Sequence, residues 1–244
     1  MTTWFISDLH LEPARPASTQ LLVQFLQYIR GQADALYILG DLFEYWIGDD
    51  FLATPAGQQV LPILQAFKQV ADRGTVLYLQ QGNRDFLLAE QFAQLSGIKL
   101  LPEQQVIDLY GQATLIMHGD LLCTDDVEYQ KARVLFRSPQ WQQQILAKSI
   151  PERLQYAQSL RMQSQQTAQT KQDDILDANQ SAIEAAMRVA QVQQLIHGHT
   201  HRPAIHTFEL DGQTAKRIVL GDWYKHGSFL RVDAESLRLS AEFH

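Results

Sequence analysis

The chain has 244 residues, 45% hydrophobic and 19% charged, which suits one large α/β domain with an ample buried core. A formal net charge of −7 argues against non-specific nucleic-acid binding, although not against a local positive site. The single cysteine, Cys123, leaves no intrachain disulfide and fits a reducing compartment.

The start, MTTWFISDLH, carries no basic leader, so no secretory signal is expected. Thr3–Ser7 reads as a buried strand. Leu21–Ile29 has apolar residues at helical spacing, with Ser18 or Thr19 as the N-cap and Gly31 as the stop. Ala35–Leu39 is a second strand. Val60–Val70 is helical and ends near Gly74. Thr75–Leu79 is a third strand, Phe86–Leu95 a helix closed by Gly97, and Ala113–Met117 a further strand. This alternation predicts βαβ units and a largely parallel sheet.

Residues 126–192 change character. They are rich in Gln, Ala, Arg and Lys, and predict several helices broken near Ser138-Pro139 and Ile150-Pro151. Gln163–Gln172 is polar, either an exposed helix face or a loop. Strand-like segments return at Gln194–Ile196, Ile205–Leu210, Lys216–Leu220, Ser228–Val232 and Leu237–Phe243. No run approaches the roughly 20 apolar residues of a membrane span, so any contact with a membrane is expected from its surface.

Polar residues of one kind follow the strands: Ser7-Asp8-Leu9-His10, Gly40-Asp41, Gly82-Asn83-Arg84-Asp85, His118-Gly119-Asp120 and Gly198-His199-Thr200-His201. Ligands gather at the carboxyl ends of strands in open α/β sheets. The candidate ligands are Asp8, His10, Asp41, Asn83, His118, His199 and His201. Oxygen and imidazole donors without cysteine suit Mn, Fe, Zn or a similar divalent ion. Seven are too many for one ion, whereas two ions sharing a carboxylate would use them all. Such a pair, about 3.5–4 Å apart, suits phosphoryl displacement and lowers the pKa of a bound water to supply a nucleophile near neutral pH.

Together, DLH, GD, GNRD, HGD and GHTH resemble the calcineurin-like metallophosphoesterases. The resemblance implies a β-sandwich flanked by helices, with a two-metal site at the strand ends. It implies that Asp8, His10, Asp41 and His201 hold one ion and that Asp41, Asn83, His118 and His199 hold the other, with Asp41 bridging. Many relatives carry histidine after the asparagine. Here Arg84 stands there, and its planar fork is expected to clamp phosphate oxygens.

Longer stretches, ALYILGDLFEYWIGDD, GNRDFLL, LIMHGDLLCTDDVEYQ and LIHGHTHRPAIH, resemble the branch of that family that cleaves the pyrophosphate of a UDP-linked diacylglucosamine lipid in lipid A biosynthesis. The resemblance implies UMP and a diacylglucosamine 1-phosphate as products, and two Mn²⁺ as cofactors, other divalent ions being possible. It implies a peripheral enzyme on the cytoplasmic face of the bacterial inner membrane, with no protein partner. Asn83, Arg84, Asp126, Ser164, Lys171 and His199 would contact substrate, and Arg84 and His199 would stabilise the transition state. Ala168 stands where relatives usually have asparagine. The alternative is another two-metal phosphoesterase acting on a soluble nucleotide or dinucleoside polyphosphate.

The interval from His118 to His199 is 81 residues (118 to 199), against 33 (8 to 41), 42 (41 to 83) and 35 (83 to 118) for the others. One metallophosphoesterase domain, 1–244, with a helical insertion at about 122–192 fits this spacing, and an inserted cap could bury acyl chains. Trp141, Phe136 and Leu135 would either meet the membrane or form the core of that cap. Tyr45 and Trp46 are expected as packing or pocket wall. Cys123 is read as structural, Asp85 as the cap of the following helix, and Asp120 as orienting His118. His197 is read as packing rather than a ligand, and His206, His226 and His244 as non-ligands.

Overall fold

The computed structural model describes residues 1–170 and 177–241, with residues 165 and 167–170 as backbone alone. Two mixed sheets face each other. The first has the order β11-β10-β1-β2-β3-β4, from β1 (Thr3–Ile6), β2 (Ala35–Leu39), β3 (Val76–Gln80), β4 (Ile98–Leu101), β10 (Phe229–Val232) and β11 (Leu237–Ser240). The second has the order β5-β6-β7-β9-β8, from β5 (Gln104–Leu109), β6 (Gln112–Met117), β7 (Gln194–His197), β8 (Ala204–Leu210) and β9 (Gln213–Val219). Strands β1 to β4 run parallel, as do β6, β7 and β9, and antiparallel strands complete both sheets.

The apolar runs of the sequence explain the layering. Strands buried on both faces read as continuous hydrophobic segments. Phe5, Leu39, Leu230 and Val232 of the first sheet meet Leu109, Ile116, Ile196 and Ile218 of the second in one buried cluster, which is the interior of the sandwich. Helices α1 (Pro16–Ile29), α3 (Leu61–Ala71) and α4 (Glu90–Ser96) cover the outer face of the first sheet, and the short α2 (Pro55–Gln58) precedes α3. Phe25 and Phe67 are fully buried there; complete burial of such a side chain contributes about 1.5–3 kcal/mol. Helix α8 (Gln180–Ala190) covers the outer face of the second sheet through Ile183 and Met187.

Helices α5 (Val127–Arg137), α6 (Pro139–Leu146) and α7 (Ile150–Thr170) stand beside the strand ends. The predicted break at Ser138-Pro139 is present: Ser138 ends α5 and caps α6, its Oγ accepting from the Trp141 N–H. These helices pack on the first sheet's layer through Ile145, Trp141 and Tyr156. Arg153 of α7 is buried, donating to the Ile47 carbonyl and pairing with Asp50.

Three local expectations need correction. Helix α1 begins at Pro16, whose fixed φ suits a first turn, and Ser18 is a buried donor to the Trp223 carbonyl rather than a cap. Helix α4 begins at Glu90, and Asp49 satisfies its start by accepting from the Ala89 and Phe92 N–H groups. Asp85 instead accepts from Gly82, Leu42 and Phe43, tying two loops together. Strands β4 and β5 were not expected. In β5 exposed Gln104, Val106 and Asp108 alternate with partly buried neighbours, so its apolar signal is halved.

A candidate metal centre and the cavity beside it

Each candidate ligand follows a strand: Asp8 and His10 after β1, Asp41 after β2, Asn83 after β3, His118 after β6, and His199 and His201 after β7. The chain leaves strand geometry abruptly. Asp8, His10, Asp41, His199 and His201 all have φ between 48° and 67°. This left-handed conformation is unfavourable for residues with a Cβ, at about 1–3 kcal/mol each, and gathers at functional sites. Neighbouring turns lock it: Asp8 N–H donates to the Gly40 carbonyl, His10 N–H to Asp41, and Gly198 N–H to His118. Glycine is required where these turns touch. A Cβ on Gly82 would lie 2.1 Å from Asp41 Oδ1, and one on Gly198 2.3 Å from Asp8 Oδ2.

Two groups of donors result. Asp8, His10 and His201 form one, and Asp8, Asp41 and His118 the other, each with its ligand atoms within 4.8 Å of one another. In the first, His10 Nε2 and His201 Nε2 are 3.2 Å apart. Asp8 Oδ1 lies 3.3 Å from His201 Nε2; it is buried and accepts no hydrogen bond, whereas Oδ2 accepts from Ser7 Oγ and the His199 N–H. Beside the second group, Asn83 Oδ1 lies 2.8 Å from His118 Nε2 and 3.0 Å from His199 Nδ1. His118 Nδ1 is 2.8 Å from the Leu39 carbonyl, which assigns the proton there and turns the Nε2 lone pair toward Asn83. Asp8 is common to both groups, and Asp41 reaches toward each: Oδ1 is 3.7 Å from His118 Nε2 and Oδ2 3.9 Å from His10 Nε2. Lone pairs facing lone pairs around a bare carboxylate oxygen fit divalent cations.

The electrostatics agree. Burial pushes the Asp41 carboxyl up to about 7, with Asp85 and Asp8 adding to the effect. Burial also opposes the charge on Asp8, but His201, His118 and His10 hold its carboxyl well below the usual range. Burial lowers His10, and with His118 it brings His199 down to about 4, so both rings are neutral and can ligate. His201 moves the other way: burial disfavours its charge, but Asp8 and Asp222 outweigh burial and raise it to about 9. Metal binding at such a site displaces protons.

A cavity of about 380 Å³ adjoins the centre. Its apolar wall includes Trp46, Phe86, Phe136, Trp141, Ile145 and Leu160. Phe86 stacks on Phe136 with centroids 6.1 Å apart, and Trp141 leans on both. Asn83, Arg84, Asp120, Asp126, Tyr129 and Ser164 form a polar part of its lining. Arg84 Nε is buried and donates to nothing, while the Arg84 N–H donates to Asp41 Oδ1. Among the expected substrate contacts, Asn83, Arg84, Asp126 and Ser164 therefore line one cavity. His199 borders it through the Tyr129 ring, 6.0 Å away at 30°. Lys171 lies outside the described residues, as does His244.

Phe136 and Trp141 are cavity wall, whereas Leu135 is 52% exposed. Tyr45 and Trp46 also line the cavity. Asp120 does not orient His118; it accepts from Tyr129 Oη and Arg133 Nε, because His118 is already held by the Leu39 carbonyl. His197 is wholly buried at the end of β7, its Nδ1 2.8 Å from the Gly198 carbonyl and its pKa lowered by burial to about 3. His206 and His226 are exposed, and Cys123 is buried. Tyr129, Arg133 and Arg137 escaped the sequence reading. Their spacing after Asp126 places them on one face of α5, a signal available in principle. Arg133 and Arg137 pair with Glu103, and Arg137 donates to the Gln81 and Gly82 carbonyls just before Asn83.

A two-sheet sandwich with carboxylates, an amide and imidazoles converging at its strand ends defines a divalent-metal phosphoesterase. The chain belongs to the calcineurin-like phosphoesterase family, whose model matches residues 1–203. It is 51% identical over 246 residues to the UDP-2,3-diacylglucosamine hydrolase of Xanthomonas axonopodis pv. citri, covering 98% of both chains. It is 48% identical over 241 residues to the protein of the same name from Stenotrophomonas maltophilia, covering 96% of both. Among solved structures, an archaeal phosphodiesterase shares the fold, with a TM-score of 0.50 at 13% identity over 99% of this chain and 100% of that one.

Proposed function

We propose that the chain hydrolyses the pyrophosphate of UDP-2,3-diacylglucosamine to UMP and 2,3-diacylglucosamine 1-phosphate, a step of lipid A biosynthesis. The observation that carries this reading is the aromatic-walled cavity, which begins at Asn83 and Arg84 and runs between α5, α6 and α7. A phosphoesterase for small soluble esters has no use for such a space, whereas acyl chains gain about 0.8 kcal/mol per buried CH₂. The relatives named above support it through the names they carry.

Asp8, His10, Asp41 and His201 would hold one ion, and Asp41, Asn83, His118 and His199 the other, the ions being Mn²⁺ or another divalent metal. When bound, the two ions supply an activated water and positive charge for the phosphoryl oxygens. The chain's own residues do the rest. Asp41 offers one oxygen to each group of donors. Arg84, tethered through its N–H to Asp41, presents its guanidinium to the equatorial oxygens. Asn83, next to it in the chain, lies 3.0 Å from His199, so charge developing in the transition state would meet preorganised polar groups. Water oxygen forms the new P–O bond at the uridine-bearing phosphorus, and the bridging P–O bond breaks toward the sugar phosphate. Asp126, Ser164 and Lys171 would contact the headgroup, with α5 to α7 as a cap inserted in a single domain.

Among the described residues, no helix is long and apolar enough to cross a membrane. By this reading the enzyme would act peripherally, at the cytoplasmic face of the inner membrane. The deciding assay is hydrolysis of UDP-2,3-diacylglucosamine with Mn²⁺ supplied and then removed by chelator. Turnover should follow the metal. Equal turnover of a soluble dinucleoside polyphosphate would overturn the lipid assignment. In ¹⁸O-water the label should enter UMP; label in the sugar phosphate would overturn the site of attack.

A further inference from the structure

Two of the candidate histidine ligands differ in what holds their outer nitrogen. His118 Nδ1 has the Leu39 carbonyl at 2.8 Å. His10 Nδ1 is buried without any hydrogen bond. The nearest acidic oxygen to it is Glu44 Oε2, at 3.7 Å. Glu44 is itself buried, at 4% exposure, and is no candidate ligand. Its other partners are arginines. Arg15 Nη2 donates to Glu44 Oε2 at 3.0 Å and to the His10 carbonyl at 2.7 Å. Arg161, on α7, places Nε 3.1 Å from Glu44 Oε1 and donates from Nη1 to Glu12 Oε2 at 3.0 Å. The face of the His10 ring is covered by Tyr224, stacked at 5.4 Å and 13°, and Arg15 lies 4.5 Å over Tyr224 in turn.

We infer that Glu44 is the positioning residue for His10, the carboxylate that fixes its tautomer and aim, and that Arg161 ties this carboxylate to the helix walling the cavity. Three observations carry it. A ligating histidine needs an acceptor on its non-ligating nitrogen, and a neighbouring carboxylate is the usual one. His10 has one acidic side chain within reach there, a few tenths of an ångström beyond hydrogen-bond length. A buried carboxylate held by two arginines is also costly to keep unless its charge is used. Glu44 lines the cavity, so one side chain touches the metal centre, the cavity and α7. This rests on the two-ion reading above. It assigns Glu44 no contact with the reacting phosphate.

The test is Mn²⁺ binding to metal-free protein, followed by EPR, for wild type, Glu44→Gln, Glu44→Asp and Arg161→Met. Wild type should bind two ions; binding of one or none refutes the two-ion reading itself. Glu44→Gln should weaken one ion by about 10–100-fold and leave the other unchanged, with Glu44→Asp intermediate. Arg161→Met should weaken the same ion by a smaller factor. The melting temperature of the metal-free variants separates positioning from packing. Wild-type affinity for both ions in Glu44→Gln would overturn the inference. So would equal loss of both ions together with a large fall in metal-free melting temperature.

Discussion

The His199 N–H donates to Asp8 Oδ2 at 2.9 Å, joining the end of β7 to the end of β1 across 191 residues. With Ser7 Oγ on the same oxygen, this bond commits Oδ2 and leaves Oδ1 bare toward His10 and His201. Asp8→Asn should place its amide oxygen where the two donors are and its NH₂ where the metal belongs. Activity should fall by about 10³-fold, roughly 4 kcal/mol, and the metal-free protein should melt lower at neutral pH, because Asp8 holds His201 charged against burial. Steady-state kinetics beside thermal melting checks this; retention of more than about a tenth of activity contradicts the ligand role.

Asp41→Ala and His118→Ala should both abolish turnover, the first weakening both ions and the second only one of them. Because binding acts only on the folded state, saturation at about 100 times Kd should raise wild-type stability by about 2.7 kcal/mol for each ion bound. Melted with and without Mn²⁺, Asp41→Ala should lose most of this increment, and His118→Ala should keep one ion's share.

Above about pH 6.5 the metal-free protein should lose stability as pH rises; below it the buried neutral His10, His197 and His199 contribute the opposite slope. His201 is raised to about 9 from 6.5, so its stabilisation is complete below 6.5 and lost as pH passes through about 9. Asp41 is raised to about 7 from 3.8, so its contribution is complete below 3.8 and lost through about 7. Both move in one direction, and Mn²⁺ should reverse the trend by taking the place of the protons. Melting curves over this range, with His201→Gln as the flattened control, measure it.

Arg84→Ala should lower kcat/KM by about 10²-fold or more, with Arg84→Lys recovering only part, because a point charge cannot reproduce the two-toothed contact. Metal stoichiometry should stay at the wild-type value in both, since the Arg84 tether to Asp41 is its backbone N–H.

Ala157 lines the cavity on α7. Ala157→Trp should fill it and raise KM for the diacyl substrate. Excluding four methylenes costs about 3 kcal/mol, or roughly 100-fold. Hydrolysis of a soluble phosphodiester at the same centre should be unaffected. An equal fall for both substrates would refute the cavity as the acyl site.

The candidate donors were legible because each stands at or just past the end of an apolar run, and a run's end is visible without knowing its partners. The same holds for the break at Ser138-Pro139, which is local stereochemistry. Strands β4 and β5 were less visible because β5 buries only one face. Glu44, Arg137 and Tyr129 gain their roles from groups far away in the chain or across a helix face.

By itself, then, the sequence determined which side chains could bind metal, where the chain turns, and that a helical stretch separates His118 from His199. Tertiary structure alone decided that Asp41 faces two histidines with its two oxygens, that Asp8 keeps one oxygen bare, and that Asp49 rather than Asp85 caps α4. The reason is physical. Propensity and periodicity act over a few residues, whereas a hydrogen-bond acceptor is assigned by whichever donors packing brings within about 3 Å, and the sandwich brings them from anywhere in the chain.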